Sequence, residues 1–254
     1  MNKSHAEHFK GLHFQSSPLR LTNVWDAPST ILQTKLCATA IATSSASLAW
    51  ANGFADGDAI PTEVLKRAVA TICKVTHLPV SIDIEKGYSD NPKDVSKLVL
   101  ELLSLGVVGI NIEDGTDSLD LLADKIKAIK ERIGDSVFIN ARTDVYLRQL
   151  VTGDAAQDEV ITRAEKYIDA GADGIFVPAQ NSAPVTTALV EQITGEWGKP
   201  VNLMVADVAN TREEEALGVK RLSCGPFSFL KAYQSLVGGN DTLEVTFDLM
   251  NASF

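Results

Sequence analysis

The chain has 254 residues, 45% hydrophobic and 22% charged, which excludes a disordered polar chain and is enough to bury a substantial core. Its formal net charge is -10, from 33 acidic against 23 basic side chains. That balance excludes the basic footprint of nucleic-acid binding but not a small anionic substrate, because a few local cations can dominate one pocket.

No apolar run approaches the ~20 residues of a membrane span, and no signal peptide is visible. Residues 1–14 are polar and carry His5, His8 and His13. We read residues 1–18 as a flexible N-terminal segment rather than a set of metal ligands. Residues 19–25 form a first apolar strand. Asp26-Ala27-Pro28 opens a helix to about residue 36, proline being suited to an early helical position. Residues 38–43 are a second strand, ended by Ser44-Ser45, and a further segment leads through Gly53 to Asp56 and Asp58. A helix over 62–74 precedes the third strand, 80–85. Helices then follow at 92–105, 118–132, 158–170, 184–197, 212–217 and 226–236. They alternate with strands at 107–112, 137–140, 174–177, 201–205 and 220–223. The strands lack polar alternation, which marks strands buried on both faces in a parallel sheet.

Eight such strands alternating with helices predict an α/β fold, a (β/α)₈ TIM barrel in a single domain over 1–254. A doubly wound sheet is the alternative, but no glycine-rich phosphate fingerprint follows the first strand. Cys37, Cys73 and Cys224 are far apart, odd in number and without ligand spacing. They read as reduced, mostly buried thiols of a cytoplasmic protein.

In such a barrel the site forms where the strands end. The third strand ends in Asp83 and Glu85, which a period of two places on one face. Two like charges there repel unless a cation lies between them, and an all-oxygen site suits Mg²⁺ or Mn²⁺. The bland reading is a pair of solvated carboxylates. Glu113 from the next strand could join them. Arg142 follows on the fifth strand, where its fork matches a substrate carboxylate or phosphonate; the alternative is an ion pair with Asp144 or Glu113. Ser44 and Ser45 read either as a capped turn or as donors to an oxyanion. Trp25, Asn202 and Ser223 also lie at strand ends.

The stretches NVWDAPS, ATSSAS followed by NGFADGD, SIDIEKGY, GINIEDG, INARTDVY, AEKYIDAGADGIFVP and RLSCG occur in that order from Leu19 to Gly225. In this ordered set the chain resembles the isocitrate lyase/phosphoenolpyruvate mutase superfamily. The resemblance implies a Mg²⁺-dependent barrel enzyme acting on small α-oxo or α-hydroxy acids through a pyruvate-like enolate. It implies that Asp83 is the direct metal ligand, with Glu85 and Glu113 acting mostly through water. Ser44, Ser45 and Ala46 would line the carboxylate pocket; Trp25 and Asn202 are expected as further substrate contacts from their position at strand ends alone. Asp56 falls at another pocket carboxylate, and Arg142 would steady the enolate. Glu85 stands where an aspartate is more usual.

The chain departs from the family after Glu113. IEDG runs directly into TDSLDLLADKIKAIK, without the family's loop bearing lysine and cysteine, and Pro178 stands where the phosphonate-handling branch has histidine. The expectation is therefore a lyase-type enzyme cleaving a C–C or P–C bond, or decarboxylating an oxo acid, with little acid help. The competing expectation is a non-catalytic member that binds a small carboxylate. The last stretch, 238–254, carries Leu243, Val245, Phe247, Leu249, Met250 and Phe254. Leaving such side chains exposed forgoes roughly 1.5–3 kcal/mol each. They are expected to fold back on their own barrel or to dock on a neighbouring one. The resemblance favours docking, through a C-terminal helix in a homodimer or homotetramer.

Overall fold

The computed structural model describes residues 3–179, 185–238 and 244–254. Helix α1 (Lys3–Gly11) leads into β1 (Leu19–Leu21) and β2 (Asn23–Val24), then α2 (Ala27–Lys35), β3 (Ile41–Thr43), α3 (Ser45–Ala51) and α4 (Thr62–Lys74). There follow β4 (Val80–Asp83), α5 (Pro92–Ser104), β5 (Val107–Glu113), α6 (Leu119–Ile133), β6 (Phe138–Arg142), α7 (Ala155–Asp169) and β7 (Gly174–Phe176). Then come α8 (Thr187–Glu191), β8 (Val201–Met204), α9 (Arg212–Ala216), β9 (Arg221–Ser223), α10 (Phe227–Gln234) and α11 (Phe247–Ala252).

All strand pairings are parallel, in the order β1-β9-β8-β7-β6-β5-β4-β3-β2. β1 and β2 are the expected first strand, interrupted at Thr22. Leu19 pairs with Arg221 while Asn23 pairs with Ala42, so the two halves join opposite edges of the sheet. The result is a (β/α)₈ barrel. The helices start where the sequence supplies caps: Asp26 accepts from Ser29 N in a capping box, Asn91 precedes Pro92, and Ser118 caps α6. Their apolar faces, with Val69, Val99, Ile126, Val160 and Leu189 wholly buried, pack on the outer faces of the strands.

The N-terminal segment departs from expectation. It is not a loose tail: α1 packs where the strands begin, with Ala6, Phe9 and Leu12 buried against Leu19, Ala40, Val108 and Phe138. These positions recur on one face at helical spacing, which interspersed charges and histidines masked. Gly109 makes room for the plug, because a Cβ there would lie 2.5 Å from Phe9 Cε1. His13 stacks on Phe138 at 4.1 Å, and its Nδ1 bonds to Phe9 O at 2.9 Å.

Two smaller expectations also shift. Cys37 is exposed, not buried. The sixth-repeat helix, expected over 184–197, is α8 followed by a π-helical turn over Gln192–Glu196; Pro184 lies outside the described residues. At the other terminus α11 folds back over the C-terminal mouth of its own barrel. Phe247 packs edge-on against Trp50 at 5.2 Å, and Met250 joins the cluster of Ala46, Trp50 and Phe229. Phe247, Leu249 and Phe254 stay exposed, and Leu243 lies outside the described residues. No helix among the described residues is long and apolar enough to cross a membrane.

Candidate active site

β4 delivers Asp83 to the C-terminal mouth, buried. Its N–H donates to Thr43 Oγ1 at 3.0 Å, tying it to the end of β3. Glu85 does not reach the same face by strand periodicity, because the strand stops at Asp83 and Glu85 has φ 51°. A turn brings it back: Gly87 N donates to Ile84 O at 2.8 Å, and Gly87, at φ 95°, abuts Val95. Glu85 N then donates to Asp83 Oδ1 at 3.0 Å, so the two residues meet through the backbone. The Glu85 carboxylate accepts from Tyr88 OH at 3.1 Å and from Asp58 N.

Glu113 ends β5 and Arg142 ends β6, and their backbones pair. Arg142 Nη1 lies 2.5 Å from Glu113 Oε2, and its other edge grips Asp144 through Nε (2.6 Å) and Nη2 (3.0 Å). The ion pairs weighed as an alternative for Arg142 are therefore both formed. The guanidinium lies 5.8 Å from the centre of the Phe176 ring. Burial alone would lower the Arg142 pKa, but Glu113 and Asp144 outweigh it and raise it. Asp144 is held in turn, its N–H donating to Asp114 Oδ1 at 2.8 Å, while Asp114 Oδ2 accepts from Arg163 and Tyr167 of α7. Asp114 thus belongs to the scaffold rather than to the mouth.

Asp56 sits in the loop after α3. Ser45 lies near the Asp56 carboxylate, the Asp56 N–H donates to Asn251 Oδ1 of α11 at 2.6 Å, and Asp56 Oδ1 is buried without a partner. Trp50 Nε1 donates to the same Asn251 oxygen at 3.2 Å. Ser44 is the capped-turn reading realised: its Oγ accepts from Ser47 N at 3.4 Å at the start of α3. Ala46 is buried beside Trp50, and Trp25 packs edge-on against Phe229 at 5.1 Å. Asn202 does not reach the mouth. It is wholly buried in the barrel, its amide engaged by Asn140, Leu203 O and Ser223.

Four carboxyls thus share one mouth, and all are pushed toward the neutral form. Burial raises Asp56, with Asp83 adding to it, and burial raises Asp83 against the pull of Arg142. Glu85 rises to about 8 through burial, then Asp56, Asp58 and Asp83. Glu113 is raised well above the usual range because burial, helped by Asp144, Asp83 and Asp56, outweighs the pull of Arg142. Such mutual repulsion is what a hard cation relieves. The all-oxygen donor set and the unpartnered Asp56 Oδ1 fit Mg²⁺ or Mn²⁺. As the side chains stand, no three His, Cys, Asp or Glu among the described residues are grouped as a formed metal site requires. Glu113 is turned to Arg142, and Glu85 to Tyr88 and Asp58. Sequence reasoning missed Asn111, whose Nδ2 donates to Asp83 Oδ2 at 3.1 Å, and Asn251. Asn111 left one signal, a lone amide inside the apolar run VVGINI; Asn251 left none.

Residues 9–243 match the family model for phosphoenolpyruvate phosphomutase. An uncharacterized protein of Mycobacterium tuberculosis, Rv1998c, is 38% identical over 227 residues, covering 87% of this chain and 83% of its own. The 2-methylisocitrate lyase of Halalkalibacterium halodurans is 29% identical over 76% of this chain and 66% of its own, and the oxaloacetate decarboxylase of Pseudomonas entomophila 31% over 65% and 58%. Among solved structures, a protein of Burkholderia cenocepacia provisionally named a phosphonomutase superposes with TM-score 0.83 at 36% identity, covering 92% of this chain and 98% of that one. A phosphonopyruvate hydrolase solved with oxalate and Mg²⁺ gives TM-score 0.80 at 17% identity over 92% and 84%, a likeness of fold. The named proteins of this group are lyases, decarboxylases, hydrolases and mutases.

Proposed function

The chain belongs to the phosphoenolpyruvate phosphomutase family, and from that premise we propose that it is a Mg²⁺-dependent lyase-type enzyme. Its substrate is a small α-oxo or α-hydroxy carboxylic acid, decarboxylated or cleaved at a C–C or P–C bond through a pyruvate-like enolate. The observation that carries this reading is the set of four carboxyls, Asp56, Asp83, Glu85 and Glu113, gathered at one mouth beside the Arg142 guanidinium. The reactions named for the lyase and decarboxylase relatives, and the oxalate and Mg²⁺ held by the hydrolase, point the same way.

In this reading Asp83 holds the cation, with Glu85 and Glu113 beside it. When bound, Mg²⁺ supplies positive charge against a developing enolate oxygen. Arg142 orients the substrate carboxylate, and to do so its Nη1 exchanges Glu113 for substrate while Asp144 keeps the other edge fixed. Asp56 is placed to take or give a proton at its free Oδ1, with Ser45 near its carboxylate. Trp25 and Ala46 wall the mouth. The absence of the lysine- and cysteine-bearing loop suits a leaving group that needs little protonation, such as CO₂.

One observation favours a second reading, a member that binds a carboxylate without turnover: every Arg142 nitrogen is already paired. Screening the purified chain with Mg²⁺ against oxaloacetate, phosphonopyruvate, phosphoenolpyruvate and 2-alkylmalates separates the two. Product from any one supports the enzyme. Binding of oxalate without product from any of them supports the alternative.

We also propose a homo-oligomer, because Phe247, Leu249 and Phe254 remain exposed even with α11 folded back. Light scattering should give a dimer or tetramer for the full chain. A full-length monomer at micromolar concentration refutes it.

A further inference from the structure

Beneath the carboxylates the barrel buries a guanidinium that the site described above does not use. Arg221, on β9, is 1% exposed. Its Nη2 donates to Asn111 Oδ1 at 3.0 Å, while Nε and Nη1 are buried with no hydrogen-bond partner. A side chain needed only to fill the barrel would be cheaper as an apolar one, because a buried cation with unpaired donors is costly.

Asn111 shows what the guanidinium does. Arginine only donates, so the Asn111 oxygen faces Arg221 and its NH₂ group must face the opposite way. Asn140 Nδ2 reinforces that choice by donating to the same oxygen at 2.9 Å. Asn140 is itself turned by Asn202 Oδ1 at 3.0 Å, and the Asn202 NH₂ group is spent on Leu203 O and Ser223 Oγ. The outcome is that Asn111 Nδ2 donates to Asp83 Oδ2 at 3.1 Å. Glu85 N donates to Asp83 Oδ1 at 3.0 Å. Both oxygens of the carboxylate are thus met by donors whose direction cannot reverse.

We propose that Arg221 is a positioning residue for the cation site: by fixing the Asn111 amide it locks the orientation of the Asp83 carboxylate. The inference rests on the reading of Asp83 as the cation ligand. It differs in sign from a purely electrostatic role. As a like charge below the site, Arg221 should repel a divalent cation, so its removal by charge alone tightens binding. As a positioning residue, its removal weakens binding.

The test is Mn²⁺ affinity, read from the paramagnetic resonance of free Mn²⁺, in wild type, Arg221→Met, Asn111→Leu and the double variant. Arg221→Met and Asn111→Leu should each bind about tenfold more weakly, the scale of one charge-assisted hydrogen bond. The double variant should be no weaker than Asn111→Leu, because Arg221 acts through Asn111. Unchanged or tighter binding in Arg221→Met, or additive losses in the double variant, overturns the proposal. If Arg221→Met does not fold, Arg221→Lys makes the same comparison with the charge kept and the planar fork lost; weaker binding supports the proposal and unchanged binding overturns it. A wild type that binds no Mn²⁺ overturns the cation reading itself, and this inference with it. A wild type that binds, with variants that bind equally, overturns this inference alone.

Discussion

At the mouth where the strands begin, His13 is buried between Phe9 and Phe138, with Nδ1 bonded to Phe9 O. At the mouth where they end, Glu85 is buried near Asp56, Asp58 and Asp83. Burial moves both toward the neutral form. His13 falls to about 3 through burial and the nearby Arg221, and Glu85 rises to about 8. The surroundings differ. His13 sits between apolar rings with Arg221 as a charged neighbour, whereas Glu85 sits among the carboxyl groups of Asp56, Asp58 and Asp83. The lower mouth is closed by packing and is a stability device. In the proposed reading the upper mouth instead gathers carboxyl groups whose mutual repulsion a bound cation would relieve.

The largest effect that separates the two ends is expected from Phe9→Ala. It removes a fully buried ring from the plug and should cost about 3–5 kcal/mol. Urea unfolding should show that loss while Mg²⁺ affinity stays within twofold of wild type. A comparable loss of affinity would break the division between the ends. Arg142→Lys works from the opposite end. It keeps the charge but loses the bidentate grip on Asp144, and should lower kcat/KM at least about tenfold on whichever substrate the screen identifies. Unchanged steady-state kinetics would make Arg142 structural.

Smaller effects, at most about 1.4 kcal/mol per pH unit for each group, divide the ends by sign. Between pH 6.5 and about 3 the unfolded chain takes up a proton that buried His13 refuses, so stability falls as pH falls through that window. Above pH 4.5 the unfolded chain releases a proton that Glu85 keeps to about 8, so metal-free stability falls as pH rises through that window. Thermal unfolding of the metal-free chain from about pH 3 to 9 should show the His13 limb below 4.5 and the Glu85 limb from 6.5 to about 8, the two opposing each other in between. His13→Gln should flatten the acid limb and Glu85→Gln the alkaline one. Either variant flattening the opposite limb contradicts the assignment.

The barrel was legible because its strands are short apolar runs without alternation, bounded by Gly106, Gly134, Gly171 and Gly218. The interruption at Thr22 was not, since it follows from closing the sheet rather than from any local preference. The plug was masked by its charges, although Ala6, Phe9 and Leu12 already share one helical face. At the site, Asp83, Glu113 and Arg142 could be placed by their strand ends. Glu85 was placed for the wrong reason: a left-handed turn, not strand periodicity, brings it to Asp83. What escaped depends on long-range partners. Arg221 reaches Asn111 across 110 positions, and Asn251 reaches Asp56 across 195, and nothing local specifies either pairing.

Calorimetric titration with Mg²⁺ of the metal-free chain and of Asp83→Ala tests the central claim most directly. Removing the one carboxylate assigned to hold the cation should abolish a saturable one-site binding seen in wild type, with the fold intact by circular dichroism. Mg²⁺ bound with equal affinity by both chains, or by neither, would contradict the account.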